Sequence, residues 1–278
     1  MAFLYKILIS MDLIKLCKKV RKITLKASKI CFESFNIEFK GDPSNIVTSA
    51  DKNIQSFLNR ELLKLIPGSN FYQEETSKNA TSSGYLWIID PIDGTENFSR
   101  GIKDFCISVA LAIDKEIVLG VVYIPKTKEM FTAIKGNGSY LNGKPIKVSN
   151  RDFEHSLFAT AFSLYKKEYA EVCENVLKEV YPMVKDFRRF GSCACELCYL
   201  AKGDVDLFFE IRVFLWDYAA SFLIVKEAGA YISGINGKEL KLDETTSIVA
   251  ACTKENFEKL NKIIYKHTGD KNYDWKNY

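Results

Sequence analysis

The sequence predicts a mixed α+β fold in which helices and sheets stack in layers. Its 278 residues are 47% hydrophobic, which is enough to bury a full core in one large domain or two lobes. Segments with helical spacing and segments with strand character follow each other, with no internal repeat, low-complexity tract or long Pro/Gly/Ser linker between them. We therefore expect one compact unit with an N-terminal lobe at residues 1–150 and a C-terminal lobe at 151–278.

Two amphipathic helices are predicted in the first lobe, followed by a β-rich stretch. Apolar residues recur at intervals of three and four over 11–35, and again from about residue 50 until Pro67-Gly68 ends the second helix. Turn residues such as Asn142-Gly143 separate the β segments. These segments are predicted at 85–89, 105–113, 117–124 and 129–134.

The second lobe alternates between strands and helices. Short apolar runs predict strands at 157–162, 205–211 and 247–252. Longer segments predict helices at 168–180, 193–202, 217–228 and 255–267.

Charge and hydropathy argue against two classes of partner. Lys and Arg total 39 against 35 Asp and Glu, and a net charge of +4 that looks dispersed does not indicate nucleic acid. Lys6 interrupts the first apolar stretch, which lacks the features of a signal peptide, and the other apolar runs are strand-sized. We expect a cytoplasmic protein with neither a nucleic-acid nor a membrane partner.

The eight cysteines do not form a zinc pattern. Cys193, Cys195 and Cys198 lie in a predicted helix of small and apolar residues, and no second Cys pair or His cluster completes a tetrahedral site. Buried free thiols are the favoured interpretation. With only two histidines in the chain, histidine-based acid/base or triad chemistry is also disfavoured.

The strongest functional motif is Asp90-Pro91-Ile92-Asp93-Gly94-Thr95, at the end of an apolar run. Two carboxylates three residues apart at the end of a buried strand can hold a divalent metal beside a phosphate. Pro91 is expected to end the strand and free the Ile92 carbonyl as an oxygen ligand. Gly94 allows a sharp turn into a helix start, whose free N–H groups attract an anion.

Other interpretations of this motif are less favoured. An EF-hand loop needs Glu at its twelfth position, where counting from Asp90 gives Gly101. A phosphatase with an aspartate nucleophile would place its carboxylates on alternate strand residues, whereas Pro91 and Ile92 separate the two found here. Acidic residues that only decorate a turn are the structural alternative.

Three further acidic positions decide whether a site for several metal ions can form. Glu74 and Glu75 follow a short apolar piece, Asp217 opens a helix, and Asp51 lies at the start of the second helix. Their structural alternatives are, in turn, a solvated loop charge, a helix N-cap, and a capping box with Thr48. Their joint occurrence with the Asp90 motif favours the functional interpretation.

The order and spacing of these motifs resemble the inositol monophosphatase family of magnesium-dependent, lithium-sensitive phosphomonoesterases. The similarity covers most of the chain and is carried by Lys40, residues 47–51, Glu74-Glu75, residues 90–98, residues 191–194 and Trp216-Asp217. It implies the layered α-β-α-β-α sandwich of the inositol monophosphatase and fructose-1,6-bisphosphatase type. It also implies a homodimer.

The same resemblance implies a role for each site residue. The implied metal ligands are Glu74, Asp90, the Ile92 carbonyl, Asp93 and Asp217, with Asp90 bridging two ions. The implied catalytic residues are Asp51, Thr95 and Glu74, the first two of which orient the attacking water. The implied substrate-binding residues are Asp93, Gly94, Thr95, Gly191, Ser192, Cys193, Glu210 and Asp217.

Elementary chemistry agrees with that implication. Two or three Mg²⁺ ions can neutralise a phosphate, generate a nucleophile near neutral pH and stabilise the leaving alkoxide, and hard oxygen ligands suit magnesium better than zinc. We therefore expect a Mg²⁺-dependent phosphomonoesterase that hydrolyses a small sugar or inositol monophosphate of the myo-inositol-1-phosphate type. The expected reaction is direct attack of metal-activated water.

Two departures leave the substrate open. Cys193-Ala194 stands where the family commonly has two alanines, and this alters the pocket wall. Arg212 is interpreted as a solvated strand-end residue, with a contact to a second phosphate as the alternative. The alternatives are therefore a phosphatase for fructose-1,6-bisphosphate, 3′-phosphoadenosine 5′-phosphate or a dinucleotide, and a catalytically silent metal-binding regulatory protein.

Overall fold

The computed structural model describes residues 2–39, 46–75, 84–162, 167–242 and 245–269. Lys40, which contributes to the family-like pattern, lies outside these ranges. The described chain begins with helix α1 (Ala2–Ala27), a 3₁₀ turn (Ser28–Phe32) and an antiparallel hairpin of β1 (Ile37–Phe39) and β2 (Ile46–Thr48).

Seven strands form the larger sheet and follow chain order across it. They are β3 (Asn70–Gln73), β4 (Tyr85–Asp93), β5 (Cys106–Ile113), β6 (Glu116–Ile124), β7 (Glu129–Ile134), β8 (Ser139–Leu141) and β9 (Lys144–Ile146). β3 runs parallel to β4, and every other neighbouring pair is antiparallel.

Five strands form the second sheet, in the order β11-β10-β12-β14-β13. They are β10 (Leu157–Ala161), β11 (Asp186–Arg188), β12 (Leu207–Val213), β13 (Tyr231–Ser233) and β14 (Thr246–Ala251). β10 is parallel to both of its neighbours, whereas β14 is antiparallel to both of its own.

The helices complete five layers. After α1 they are α2 (Ser49–Leu65), α3 (Thr95–Ser99), α4 (Ala170–Val180), α5 (Cys193–Ala201), α6 (Leu215–Glu227) and α7 (Lys254–Thr268). α1 and α2 pack on one face of the seven-stranded sheet, α5 and α6 lie between the two sheets, and α4 and α7 cover the outer face of the five-stranded sheet. The predicted α-β-α-β-α fold is therefore confirmed. The division into lobes near residue 150 stays a prediction.

Strand β4 and helix α5, which lead to the site, are largely apolar because both are buried on every side. Along β4, Trp87 and Ile89 enter the core beneath α1 and α2, whereas Leu86 and Ile88 enter the core shared with α5 and α6. Both faces of this strand are buried, so it has no polar alternation. All nine residues of α5 are buried as well, as expected for a helix enclosed on every side.

Helix α6 approaches the large sheet at Gly120 of β6. A Cβ built at this glycine would lie 2.5 Å from the carbonyl oxygen of Ala220, so nothing larger than hydrogen fits without a backbone shift. We expect Gly120→Ala to lower the free energy of unfolding by about 1–3 kcal/mol, measured by urea denaturation. Gly234→Ala is the matched control, because that glycine also has ordinary φ and its nearest contact is 3.3 Å. Equal effects of both changes would contradict this packing argument.

Several element boundaries differ from the prediction. The first helix begins at Ala2 and ends at Ala27, where the predicted range was 11–35, and the following turn is 3₁₀. The three-residue strands were not predicted, since three residues are too few to show a period; they are β1, β2, β8, β9, β11 and β13. All eight cysteines are free and buried, as expected.

Candidate metal centre and phosphate-binding site

The predicted site residues, with the exception of Asp51, line one cavity where β4, β12 and the starts of α5 and α6 meet. They are Glu74, Asp90, Ile92, Asp93, Gly94, Thr95, Gly191, Ser192, Cys193, Glu210 and Asp217. Residues separated by more than 140 positions are therefore brought together by the two sheets and the helices between them.

A local irregularity in β4 brings Asp90 and Asp93 to the same cavity. Residues three apart in a regular strand point to opposite faces, but the pairing of β4 with β5 shifts register between these two positions. Pro91 was predicted to end the strand, and this prediction is wrong, because β4 continues to Asp93. The N–H that proline lacks coincides with the register shift. Asp90 Oδ1 accepts the Ile92 N–H at 3.0 Å, and Thr95 Oγ1 donates to the Ile92 carbonyl at 3.0 Å.

Asp93 is held by the start of α5. Its Oδ2 accepts the Ser192 hydroxyl at 2.6 Å and the Ala194 N–H at 2.7 Å, and the Cys106 thiol lies 3.9 Å away. Burial raises the pKa of Asp93 to about 6, while the hydrogen bonds from Ser192 and Ala194 act in the opposite direction. These contacts fix one carboxylate oxygen and orient the side chain at the cavity wall.

The carboxylates act on one another electrostatically. Burial raises the pKa of Asp90 well above its ordinary value, and the neighbouring charges of Glu74, Asp93, Asp217 and Asp51 raise it further. Burial and Asp93 likewise raise the pKa of Asp217, against the Phe214 N–H and Arg212. Such a cluster favours either bound protons or a compensating cation.

Asp51 lies outside the cavity lining and takes part in the capping box that was its structural alternative. Its Oδ2 accepts the Thr48 N–H at 2.7 Å and the Thr48 hydroxyl at 2.5 Å, while Thr48 Oγ1 accepts the Asp51 N–H at 3.3 Å. Capping at the start of α2 is thus shown, and the influence of Asp51 on the site is its charge near Asp90.

Asp217 is the third residue of α6 rather than its N-cap, which is Phe214. Its Oδ2 accepts the Phe214 N–H at 2.7 Å, so the helix start holds the carboxylate against the cavity. Glu74 also lines the cavity, at the end of β3. The structural alternatives, a helix N-cap for Asp217 and a solvated loop charge for Glu74, therefore describe these residues incompletely.

Arginines and aromatic rings complete the wall. Arg212 is only 6% exposed, with its guanidinium 4.6 Å from the centre of the Phe214 ring, so its interpretation as a solvated strand-end residue is wrong. The sequence analysis missed Arg189 and Phe162, which line the cavity together with Trp216 of the Trp216-Asp217 motif. The position of Arg189, two residues before Gly191, was the available signal for the first of these.

Glu196, also missed, fixes the loop that carries Gly191. Its Oε1 accepts the Phe190 N–H at 2.7 Å and the Gly191 N–H at 2.9 Å, and Asn97 Nδ2 donates to the Phe190 carbonyl at 2.6 Å. Glu196 is fully buried. The signal for this role was a carboxylate in an otherwise apolar helix.

Burial raises the pKa of Glu196 from 4.5 to about 8, although the Gly191 and Phe190 N–H groups lower it. The folded protein therefore keeps a proton that the unfolded chain releases, and this contribution to stability is full below pH 4.5 and lost as pH rises to about 8. Glu196→Gln keeps the acceptor and stays neutral. We expect the variant to be more stable than the wild type at pH 9 by about 5 kcal/mol, since the pKa shift from 4.5 to about 8 corresponds to about 1.4 kcal/mol per pKa unit.

Urea denaturation across this pH range checks the expected effect. The matched control is Glu227→Gln, at a carboxylate near the surface that also accepts two backbone N–H groups, from Gly136 and Gly138. Equal pH slopes for the wild type and Glu196→Gln would contradict the account.

The donor set fits a hard divalent cation. The cavity offers carboxylate oxygens and the Ile92 carbonyl, which are the ligands that Mg²⁺ prefers. No group of three or more His, Cys, Asp or Glu side chains in the described part of the chain could hold a metal ion by itself. Mg²⁺ commonly keeps several water ligands, which would complete the coordination beside the carboxylates and the Ile92 carbonyl.

The layered fold and its acidic, oxygen-rich cavity define the class of protein, which is that of the phosphatase-type α-β-α-β-α sandwiches. The chain belongs to the inositol monophosphatase family, whose model matches residues 10–268.

Individual relatives agree with this membership. Inositol monophosphatase 2 of Solanum lycopersicum is 39% identical over 219 residues, covering 76% of this chain and 82% of its own. Nus factor SuhB of Salmonella typhimurium is 37% identical over 196 residues, covering 70% and 73%. A crystal structure of an IMPase/NADP phosphatase complexed with Mg²⁺ and phosphate superposes with a TM-score of 0.79 at 25% identity, covering 91% of this chain and 94% of that one.

Proposed function

We propose that the protein is a Mg²⁺-dependent phosphomonoesterase that hydrolyses a small sugar or inositol monophosphate. The observation that carries this proposal is the meeting of carboxylates from separate elements in one cavity beside the Gly94 turn and the start of α5. Family membership supports the phosphatase class, and the Mg²⁺ and phosphate bound by the IMPase/NADP phosphatase support the cofactor. We propose two or three ions, held by the carboxylates of Glu74, Asp90, Asp93 and Asp217 and the Ile92 carbonyl.

When bound, Mg²⁺ would supply Lewis-acid activation of water and neutralisation of phosphate charge. The Thr95 hydroxyl donates its proton to the Ile92 carbonyl. The lone pairs of the Thr95 hydroxyl oxygen can then orient the attacking water. Glu74 provides a carboxylate to accept a proton from that water. We also assign Asp51 to orienting the attacking water, and its negative charge acts on Asp90.

The phosphate is assigned to the space between two backbone turns. Gly94, with φ of 88°, packs so closely that an added Cβ would lie 3.0 Å from the Asp104 carbonyl and 3.1 Å from Ser192 Cβ. The turn is therefore held closely against the loop before α5, and we assign the phosphate to the backbone N–H groups that follow Gly94. The α5 start, with Gly191 and Ser192, forms the other wall.

The alcohol half of the substrate is assigned to Glu210 and Cys193. Glu210 Oε2 is buried and makes no hydrogen bond within the described ranges. A buried acceptor without a donor is costly, and a substrate hydroxyl would satisfy it. This supports a polyol or sugar substrate.

Phosphate release from a panel of small monoesters tests the proposal. The wild type is expected to hydrolyse myo-inositol-1-phosphate or another sugar phosphate with Mg²⁺ and to lose this activity in chelator. Inactivity on a broad phosphoester panel with either Mg²⁺ or Mn²⁺ would contradict the proposed function.

A second candidate is a phosphatase for bisphosphates or dinucleotides. Arg189 and the buried Arg212 line the same cavity, and a guanidinium can bind a second phosphate. Comparison of kcat/KM for monophosphates and bisphosphates, with Arg212→Ala beside the wild type, separates the two. An unchanged preference in the variant would remove Arg212 from the argument.

A catalytically silent regulatory protein is the candidate of another class, in view of the Nus factor SuhB name of some relatives. Calorimetric metal binding without any phosphate release would favour it. The homodimer and the cytoplasmic location stay predictions, and light scattering tests the first. None of the described helices is long and apolar enough to cross a membrane.

A further inference from the structure

The outer face of α1 and the 3₁₀ turn after it carry what we call the lysine row. Its members are all exposed and recur at helical spacing: Lys15, Lys18, Lys19, Lys22, Lys26 and Lys29. The opposite face holds the helix to the protein through buried Leu13, Cys17 and Val20. The lysine row therefore forms a fixed cationic stripe on a helix that is already anchored in the core.

The charge of this stripe is concentrated and uncompensated. Residues 12–29 contain seven basic residues and one acid, Asp12, although the net charge of the whole chain is only +4. Within the described part of the chain, no member of the lysine row forms an ion pair. The expectation that the positive charge is dispersed does not hold for this helix.

Exposed apolar side chains lie beside the lysines. Ile14 is 38% exposed, Leu25 47% and Phe32 62%. The ammonium of Lys126, from the turn between β6 and β7, lies 5.9 Å from the centre of the Phe32 ring and adds another cation at this edge. The surface thus combines positive charge with exposed apolar side chains. Binding to a nucleic-acid backbone requires the positive charge but not the apolar side chains.

We propose that α1 docks the protein on an anionic lipid surface, with the lysine row facing the headgroups and the exposed apolar side chains of Ile14, Leu25 and Phe32 entering the interface. A single weak anchor binds a bilayer only marginally, whereas an apolar element next to a polybasic patch gives stable attachment. A second copy of the chain would present the same positive charge and be repelled. The helix would lie on the membrane surface, so this proposal departs from the expectation that the protein has no membrane partner.

Vesicle co-sedimentation of the full chain tests this docking. We expect binding to vesicles of phosphatidylcholine with phosphatidylserine and little binding to phosphatidylcholine alone, with attachment weakened by salt. The variant Lys15→Glu/Lys18→Glu/Lys22→Glu should bind the anionic vesicles at least about 100-fold more weakly, at roughly fivefold per lysine. A charge-matched control is Lys254→Glu/Lys259→Glu/Lys262→Glu, on the exposed side of α7. It should bind like the wild type.

A second variant, Leu25→Ser/Phe32→Ser, separates lipid from other polyanions, because it removes exposed apolar side chains and keeps every lysine. We expect it to lose vesicle binding while weak retention on heparin persists. No binding to the anionic vesicles would overturn the proposal, as would equal loss in the α7 control. Tight RNA binding that is unaffected by Leu25→Ser/Phe32→Ser would assign the surface to nucleic acid instead. Neither set of lysines touches the acidic cavity, so phosphatase activity provides the folding control.

Discussion

Replacing Asp93 by asparagine is expected to lower kcat/KM for phosphate release by at least about 10³-fold while the protein stays folded. The Ser192 hydroxyl and the Ala194 N–H both donate to Asp93 Oδ2. The asparagine carbonyl oxygen keeps these bonds only if the amide NH₂ takes the other position. A donor then occupies the place of an anionic oxygen and cannot coordinate a cation.

Steady-state kinetics with saturating Mg²⁺ measures this loss, and near-ultraviolet circular dichroism verifies the fold. Asp206→Asn is the matched control, because Asp206 is also buried but accepts the Leu157 N–H at 2.8 Å and pairs with Arg151 in another part of the protein. The control should keep activity within several-fold of the wild type. Activity of Asp93→Asn within tenfold of the wild type would contradict the role assigned to Asp93.

Replacing Asp90 by asparagine is expected to change activity and stability in opposite directions. Activity should fall by at least about 10³-fold, because the proposed bridging carboxylate is lost. Without metal, the same change should raise the melting temperature by about 2–4 °C, the shift that corresponds to about 1 kcal/mol in a domain of this size. The reason is that burial and the charges of Glu74, Asp93, Asp217 and Asp51 all raise the pKa of Asp90 and oppose its ionisation.

Thermal denaturation in chelator and in Mg²⁺ distinguishes this cause from a general packing effect. The folded wild type without metal binds protons that the unfolded chain releases, so its stability falls as pH rises above the ordinary carboxyl pKa of 3.8. Asp90→Asn should show a smaller fall and little stabilisation by Mg²⁺. A variant that is less stable than the wild type in chelator at pH 8 would contradict the electrostatic account.

The sequence was most informative where a residue type has one dominant use. The apolar run before Asp90 predicts β4, and Gly94 predicts the turn into α3, because few residues fit those roles. The carboxylates that line the cavity were predicted from their joint occurrence. The family resemblance implied the roles of these residues from the order of their motifs along the chain. The fold then showed that the residues meet in one cavity.

The remaining features depend on tertiary contacts that no local pattern records. A buried Arg212 follows from its cation–π contact with Phe214 and its place in β12, whereas an arginine near a strand end is usually solvated. Glu196 is buried in α5 because two backbone N–H groups of a loop five and six residues earlier need an acceptor. The catalytic role of Asp51 stays a prediction, because capping and catalysis call for the same residue at a helix start and the capping box is present.

A crystal of the protein soaked in Mn²⁺, as a substitute for Mg²⁺ with anomalous scattering, tests the central claim most directly. The account predicts two or three anomalous peaks within coordination distance of Glu74, Asp90, the Ile92 carbonyl, Asp93 and Asp217, and loss of the peak beside Asp90 in Asp90→Asn. A fully occupied Mn²⁺ elsewhere with none between these carboxylates would contradict the assignment of this cavity as the metal centre.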